Sequence, residues 1–141
     1  MRFATVGFLV LGLLTGGCGD DPPATAPSTS TTTKITEVFV GTLNVRGSSF
    51  YSFSVLTAGT VSVMLASITL AQPGPTADIP VSIGVGVPEG EGCNTTTTMV
   101  VGPALTSQIS AQYTPGVYCA NVADVGNLKS PVSFAVRIVH P

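Results

Sequence analysis

The feature that most narrows what this chain can become is an alternation of apolar and polar residues that recurs through residues 35–141. A period of two puts successive side chains on opposite faces of an extended strand, whereas a helix needs apolar residues three and four apart. "FYSFSVL" sets Tyr51, Phe53 and Val55 against Ser52 and Ser54, and "GTVSVMLASITL" continues with Val61, Val63 and Leu65. "TEVFVGTL" marks Val38, Val40 and Leu43 as apolar positions among polar ones. "PVSIGVGV", "SQISAQY", "VYCANVADV" and "PVSFAVRIVH" complete the set; in the last, Phe134, Val136 and Ile138 face inward and Ser133, Ala135 and Arg137 outward. Turn signals separate them at Ala58-Gly59, Gln72-Pro73-Gly74-Pro75, Pro88-Glu89-Gly90, Pro115-Gly116 and Gly126-Asn127. No stretch of this region carries a helical stripe, and a parallel α/β fold needs helices between its strands. The expectation is an all-β domain over 35–141, an antiparallel β-sandwich or jelly roll of seven to eight strands. Removing the last strand is expected to bare a hydrophobic edge and cause aggregation.

The first residues give an address. Arg2 precedes Phe3–Leu14, an apolar run of twelve residues. A membrane span needs about twenty, so the run fits a cleaved export signal over residues 1–17. Thr15, Gly16, Gly17 and Cys18 follow. This segment resembles a bacterial lipoprotein signal, in which a box of small residues ends at the cysteine that receives lipid. The departure is Thr15, where the family usually has leucine; the leucine here is Leu14. The resemblance implies a lipid-anchored chain beginning at Cys18. The alternative is ordinary cleavage after Gly17, which leaves a secreted, soluble protein with a free thiol.

Three cysteines bear on that choice. Cys93 and Cys119 lie in the strand-rich region, and exported proteins keep disulfides. Their pairing is expected, the alternative being two small buried thiols. The bridge would close a loop of about 25 residues and stabilise the fold by roughly 3 kcal/mol. Cys18 is then the odd cysteine, which lipid attachment explains. Between anchor and domain, "GDDPPATAPSTSTTTK" has the proline, serine and threonine content of an extended, solvated tether. Its sixteen residues could reach roughly 50 Å, so residues 18–34 read as a stalk.

Two segments resemble the small β-sandwich that follows many secreted bacterial peptidases, the pre-peptidase C-terminal domain. "YSFSVLTAGTVSVML" is similar to that family's strand, glycine turn and strand, through Tyr51, Phe53, Val55, Gly59, Val61 and Leu65. "TPGVYCANVADVGN" followed by "VSFAVRIVHP" is similar to its closing hairpin and strand, through Pro115, Gly116, Tyr118, Val122, Phe134, Val136 and Ile138. The departures are Gly47, Ser48 and Ser49, where relatives often carry acidic residues, and the lack of an aligned acidic cluster of the kind that binds calcium in some of them. The resemblance implies an accessory, adhesive or substrate-binding module and no catalysis.

The remaining residues narrow the chemistry. Charged residues make up 9% of the chain, against about 25% in an average globular protein. With a net charge of only −2, the chain has no electrostatic footprint for nucleic acid. His140, the only histidine, lies one residue from the end and is expected to be exposed and mobile; a catalytic triad needs a fixed imidazole. Zinc sites need clustered cysteine and histidine, so no metal site and no cofactor are expected. Glu89 and Glu91 would share a face on a strand, but Gly90 and Gly92 make that stretch a solvated turn, and with Asp78 or Asp124 they offer few of the six to eight oxygens calcium wants. "GVGVPEG" fails the phosphate-loop spacing at Glu89. The sequon Asn94-Thr95-Thr96 lies in "NTTTT", which reads as a polar loop near the disulfide.

These readings converge on a non-catalytic, lipid-anchored β-sandwich of the cell envelope that binds an envelope protein or a polymer. Such a module should show an exposed apolar patch or a free sheet edge. A glycan-binding module is the first alternative; Tyr113, just before the Thr114-Pro115-Gly116 turn, is its candidate ligand contact, while Tyr51 and Tyr118 pattern as packing residues. A self-associating structural subunit of the cell surface is the second.

Overall fold

A computed structural model describes residues 32–70 and 74–141. The leader, Cys18 and the tether as far as Thr31 lie outside the described residues, as do Gln72 and Pro73 of one expected turn. Eight strands follow in order: β1 (Ile35–Leu43), β2 (Ser48–Val55), β3 (Gly59–Thr69), β4 (Val81–Glu89), β5 (Gly92–Val101), β6 (Ile109–Tyr113), β7 (Gly116–Ala123) and β8 (Val132–His140). They form two four-stranded sheets, ordered β1-β8-β3-β6 and β2-β7-β4-β5, with every pairing antiparallel. Four of the pairings, β1 with β8, β2 with β7, β3 with β6 and β4 with β5, are those of one long two-stranded ribbon. Rolling that ribbon sets β3 beside β8 and β4 beside β7, which is jelly-roll order within the sandwich.

The alternating residues fill the space between the sheets. Phe53 and Val55 of β2, Val61, Val63 and Leu65 of β3, and Phe134, Val136 and Ile138 of β8 are all buried, as the sequence predicts. Each such side chain removed from water contributes about 1.5–3 kcal/mol. A bulge between Leu65 and Ser67 shifts β3 by one residue and puts Ile68 back into the core.

Two expectations are corrected. In β1 the inward set is Phe39, Gly41 and Leu43, while Val38 and Val40 point outward, 60% and 69% exposed. Tyr51 decides this: its ring stacks on Phe39 with centroids 4.6 Å apart, and its hydroxyl lies where a Cβ at position 41 would sit. Only glycine fits above it, so the odd-numbered residues of β1 turn in. The second correction is that "NTTTT" is the middle of β5, not a loop. β5 is a sheet edge without one buried residue, so no alternation marks it, although β-branched threonines favour strands. β8 itself lies between β1 and β3, so its loss would split the first sheet and bare the edges of both neighbours.

Cys93 of β5 and Cys119 of β7 form the expected disulfide, with Cα atoms 5.8 Å apart and a sequence separation of 26. β4 runs between those two strands. Strands flanking a third lie about 9.5 Å apart in a flat sheet, so β5 must bend over β4 to make the bridge. Gly84 and Gly86 permit it. A Cβ on Gly86 would run into the backbone of Asn94 and Thr95, and one on Gly84 would press on Thr95 and Thr98. The glycines of "GVGV" are spacers beneath a folded-over strand.

Candidate functional site

β1 is an edge strand, bonded to β8 on one side only, so half of its peptide groups have no strand partner. Such an edge is a template for another strand unless something covers it. Two side chains of β2 cover part of it. The Tyr51 hydroxyl donates to the Val40 carbonyl at 2.9 Å, and the Ser49 hydroxyl donates to the Thr42 carbonyl at 3.4 Å. Carbonyls alternate sides along a strand, so these two mark the side of β1 that faces away from β8. On that side, Thr36 and Val38 have no hydrogen-bond partner among the described residues.

The outer face of the same sheet is apolar beside this opening. The register lays Val38, Arg137 and Met64 side by side on one rung, and Val40, Ala135 and Ser67 on another. A third rung holds Thr36, Val139 and Ser62. Val38 and Val40 are far more exposed than strand valines facing a core, and Arg137 stands in their midst without an acidic partner among the described residues. A hollow of about 320 Å³ lined by Val40, Gly41, Thr42, Ser133 and Phe134 adjoins them. An apolar stripe, a lone cation and an uncovered strand edge therefore meet in one place.

The other sequence-level candidates fall elsewhere. His140 corrects its expectation: it is 1% exposed and held on three sides. Its Nε2 lies 2.8 Å from Glu37 Oε1, its Nδ1 lies 3.1 Å from the Pro141 carbonyl, and Phe53 packs on the ring at 5.4 Å. The inward parity of β8, which runs through Phe134, Val136 and Ile138, continues to His140 and carries it inside. With both nitrogens engaged and no hydroxyl or thiol bonded to the ring among the described residues, this pair anchors the chain end.

Tyr113, the expected glycan contact, is partly exposed. It is half-buried at the end of β6, set edge-on against Tyr118 with centroids 4.8 Å apart, and packs on the core. Burial, and then the neighbouring Tyr118, push its phenol above the usual tyrosine value. Glu89 ends β4 and Glu91 lies in the turn to β5, where Gly90 takes a left-handed φ of 57°. Asp124 is committed to its own loop: its carboxylate accepts from the backbone N–H groups of Arg46 at 2.7 Å and of Gly126, Asn127 and Leu128. These bonds, the one from Arg46 foremost, hold its pKa below the ordinary carboxylate value. Among the described residues no three histidine, cysteine or acidic side chains gather as a metal group. Cys18 lies outside the described residues.

The sequence does not single out this site, because the apolar residues of β1 (Val38, Val40 and Leu43) do not share one face and so do not show which side turns in. The available signal was Gly41, whose missing side chain in an otherwise well-formed strand marks a close approach. Comparison of the chain with protein-family models and with curated protein sequences gives no match.

Proposed function

We propose that this chain is a lipid-anchored, non-catalytic β-sandwich module of the cell envelope that binds a partner protein or polymer. The observation that carries the reading is the stripe of Val38 and Val40 beside the uncovered edge of β1. Exposed valines on an open edge are an aggregation hazard in a free protein, and a partner that covers them accounts for their presence. The small-residue box ending at Cys18 and the tether after it support display at a membrane; likeness to the pre-peptidase C-terminal domain supports an accessory role. In this reading no nucleic acid, metal or cofactor takes part.

Intact mass of membrane-extracted protein tests the address. Lipid on a chain beginning at Cys18, with two further thiols appearing only on reduction, is the expected result. An unlipidated chain with a free Cys18 would make the protein a released one.

A second reading, glycan binding, draws on a different face. On the outside of the second sheet Phe50 is 36% exposed and sits opposite Asn121. The four strands of that sheet contain one charged residue, Glu89. Neutral hydroxyls, an amide and an aromatic ring suit an uncharged sugar, so Phe50 joins Tyr113 as a contact such a reading would use.

A further inference from the structure

We propose that the open part of β1, Thr36–Val38, takes up an extended segment of a partner protein as an added antiparallel strand of the first sheet. This rests on the binding-module reading and names the mode of binding. The peptide groups of Thr36 and Val38 face away from β8 and are uncovered among the described residues, whereas the carbonyls of Val40 and Thr42 are already taken by Tyr51 and Ser49. An added strand thus has a defined stop: it pairs at the start of β1 and cannot pair past Val40. Main-chain bonds at such an edge supply affinity, and alternate side chains supply specificity.

The surroundings state what those side chains are. Residues of the added strand on its outer face lie beside Val38 and Val40, and the hollow at Val40, Gly41, Thr42 and Ser133 accepts one of them. Arg137, across Val38, is the one charge on the paired rungs of this face and lacks an acidic partner among the described residues. The matching segment therefore alternates, with apolar residues and one acidic residue on the same face.

A second copy of this chain fits less well. Self-pairing that uses both open positions sets Thr36 against Val38 of the other copy, and then Glu37 falls opposite Glu37. Like charges directly opposite destabilise a pair, and the outer rungs of the first sheet supply no carboxylate for Arg137. The occupant is another protein.

The test uses the full isotope-labelled chain and a blocked peptide, Val-Thr-Val-Thr-Glu-Thr-Val-Thr-Val, followed by amide NMR. The amides of Thr36 and Val38 should shift and exchange more slowly, and the same peptide with its central Glu replaced by Gln should bind more weakly. Val38→Pro removes an edge N–H that no neighbouring strand uses, a change edge strands tolerate. It should weaken binding by about tenfold, the loss of one to two net hydrogen bonds. Should that variant fail to fold, Arg137→Gln decides: it should erase the preference for the Glu peptide while Thr36 and Val38 still respond. Shifts at the β2, β5 or β6 edges would overturn the proposal, as would shifts at Phe50 and Asn121 or no binding at millimolar peptide. A concentration-dependent dimer that Val38→Pro abolishes would instead make the occupant a second copy. If strand addition fails while the mass measurement shows lipid on Cys18, the anchored-module reading survives without it.

Discussion

Replacing both Cys93 and Cys119 with serine should destabilise the sandwich by roughly 3 kcal/mol. The figure follows from the unfolded chain, since a bridge closing a loop of this length removes that much entropy from it. The native state sets where the loss is felt. β5 contributes no buried residue, bends away from a flat sheet to reach the bridge, and pairs with β4 alone. Its bonds to β4 therefore depend on the tie to β7 more than any other ladder does. In urea the midpoint should fall by about 1–3 M, taking a slope of 1–3 kcal/mol/M for a protein of this size. Hydrogen exchange should show β5 amides opening first in the variant, well before those of β3 or β8. A midpoint shift under about 0.3 M, with β5 amides as protected as in the parent, would refute the reasoning. It would mean that the β4–β5 ladder holds the bent strand without help.

Other outcomes follow from the same geometry. A chain ending at Ser130 lacks β8, loses its pairings with both β1 and β3 and bares those two edges, so it should give a disordered circular-dichroism spectrum and aggregate; a soluble, folded product would contradict the interior place of β8. Glu37→Ala leaves the buried His140 ring without its partner and should cost about 1–3 kcal/mol in chemical denaturation. Asp124 has a folded pKa below its unfolded one, so its contribution is present above the unfolded value near 4 and lost as pH falls through the folded one. Asp124→Asn should flatten that acid limb, and an unchanged acid unfolding curve would count against the loop bonds. Tyr113, raised by burial, contributes below the ordinary tyrosine pKa and loses its contribution as pH rises through its folded value; spectrophotometric titration of the parent against Tyr113→Phe should assign to Tyr113 an ionisation above the ordinary tyrosine value.

The strands that read directly from sequence, β2, β3 and β8, are those with one buried and one wet face, where burial writes the period-two pattern. β1 carries two competing sets, Val38 and Val40 against Phe39, Gly41 and Leu43, and only Tyr51 from another strand chooses between them. β5 carries no pattern because neither of its faces is buried. The bridge was visible in the count of cysteines, but its path over Gly84 and Gly86 depends on strand order. His140 looked mobile from its place near the chain end; the register of β8 against β1 sets it beside Ile35, within reach of Glu37. The candidate site lay hidden for the same reason as β1: an edge is a property of which strands meet, and nothing local in "TEVFVGTL" reports that β8 pairs with one side and that, among the described residues, no strand pairs with the other.

Hydrogen exchange of β1 in isolated envelopes, compared with the purified chain, tests the central claim most directly. If the module binds its partner through the first sheet, amides at Thr36 and Val38 should exchange slowly in the envelope and quickly once the protein is purified, while the outer strands of the second sheet stay the same. Equal rates at β1 in both samples, or protection confined to the face around Phe50 and Asn121, would contradict it.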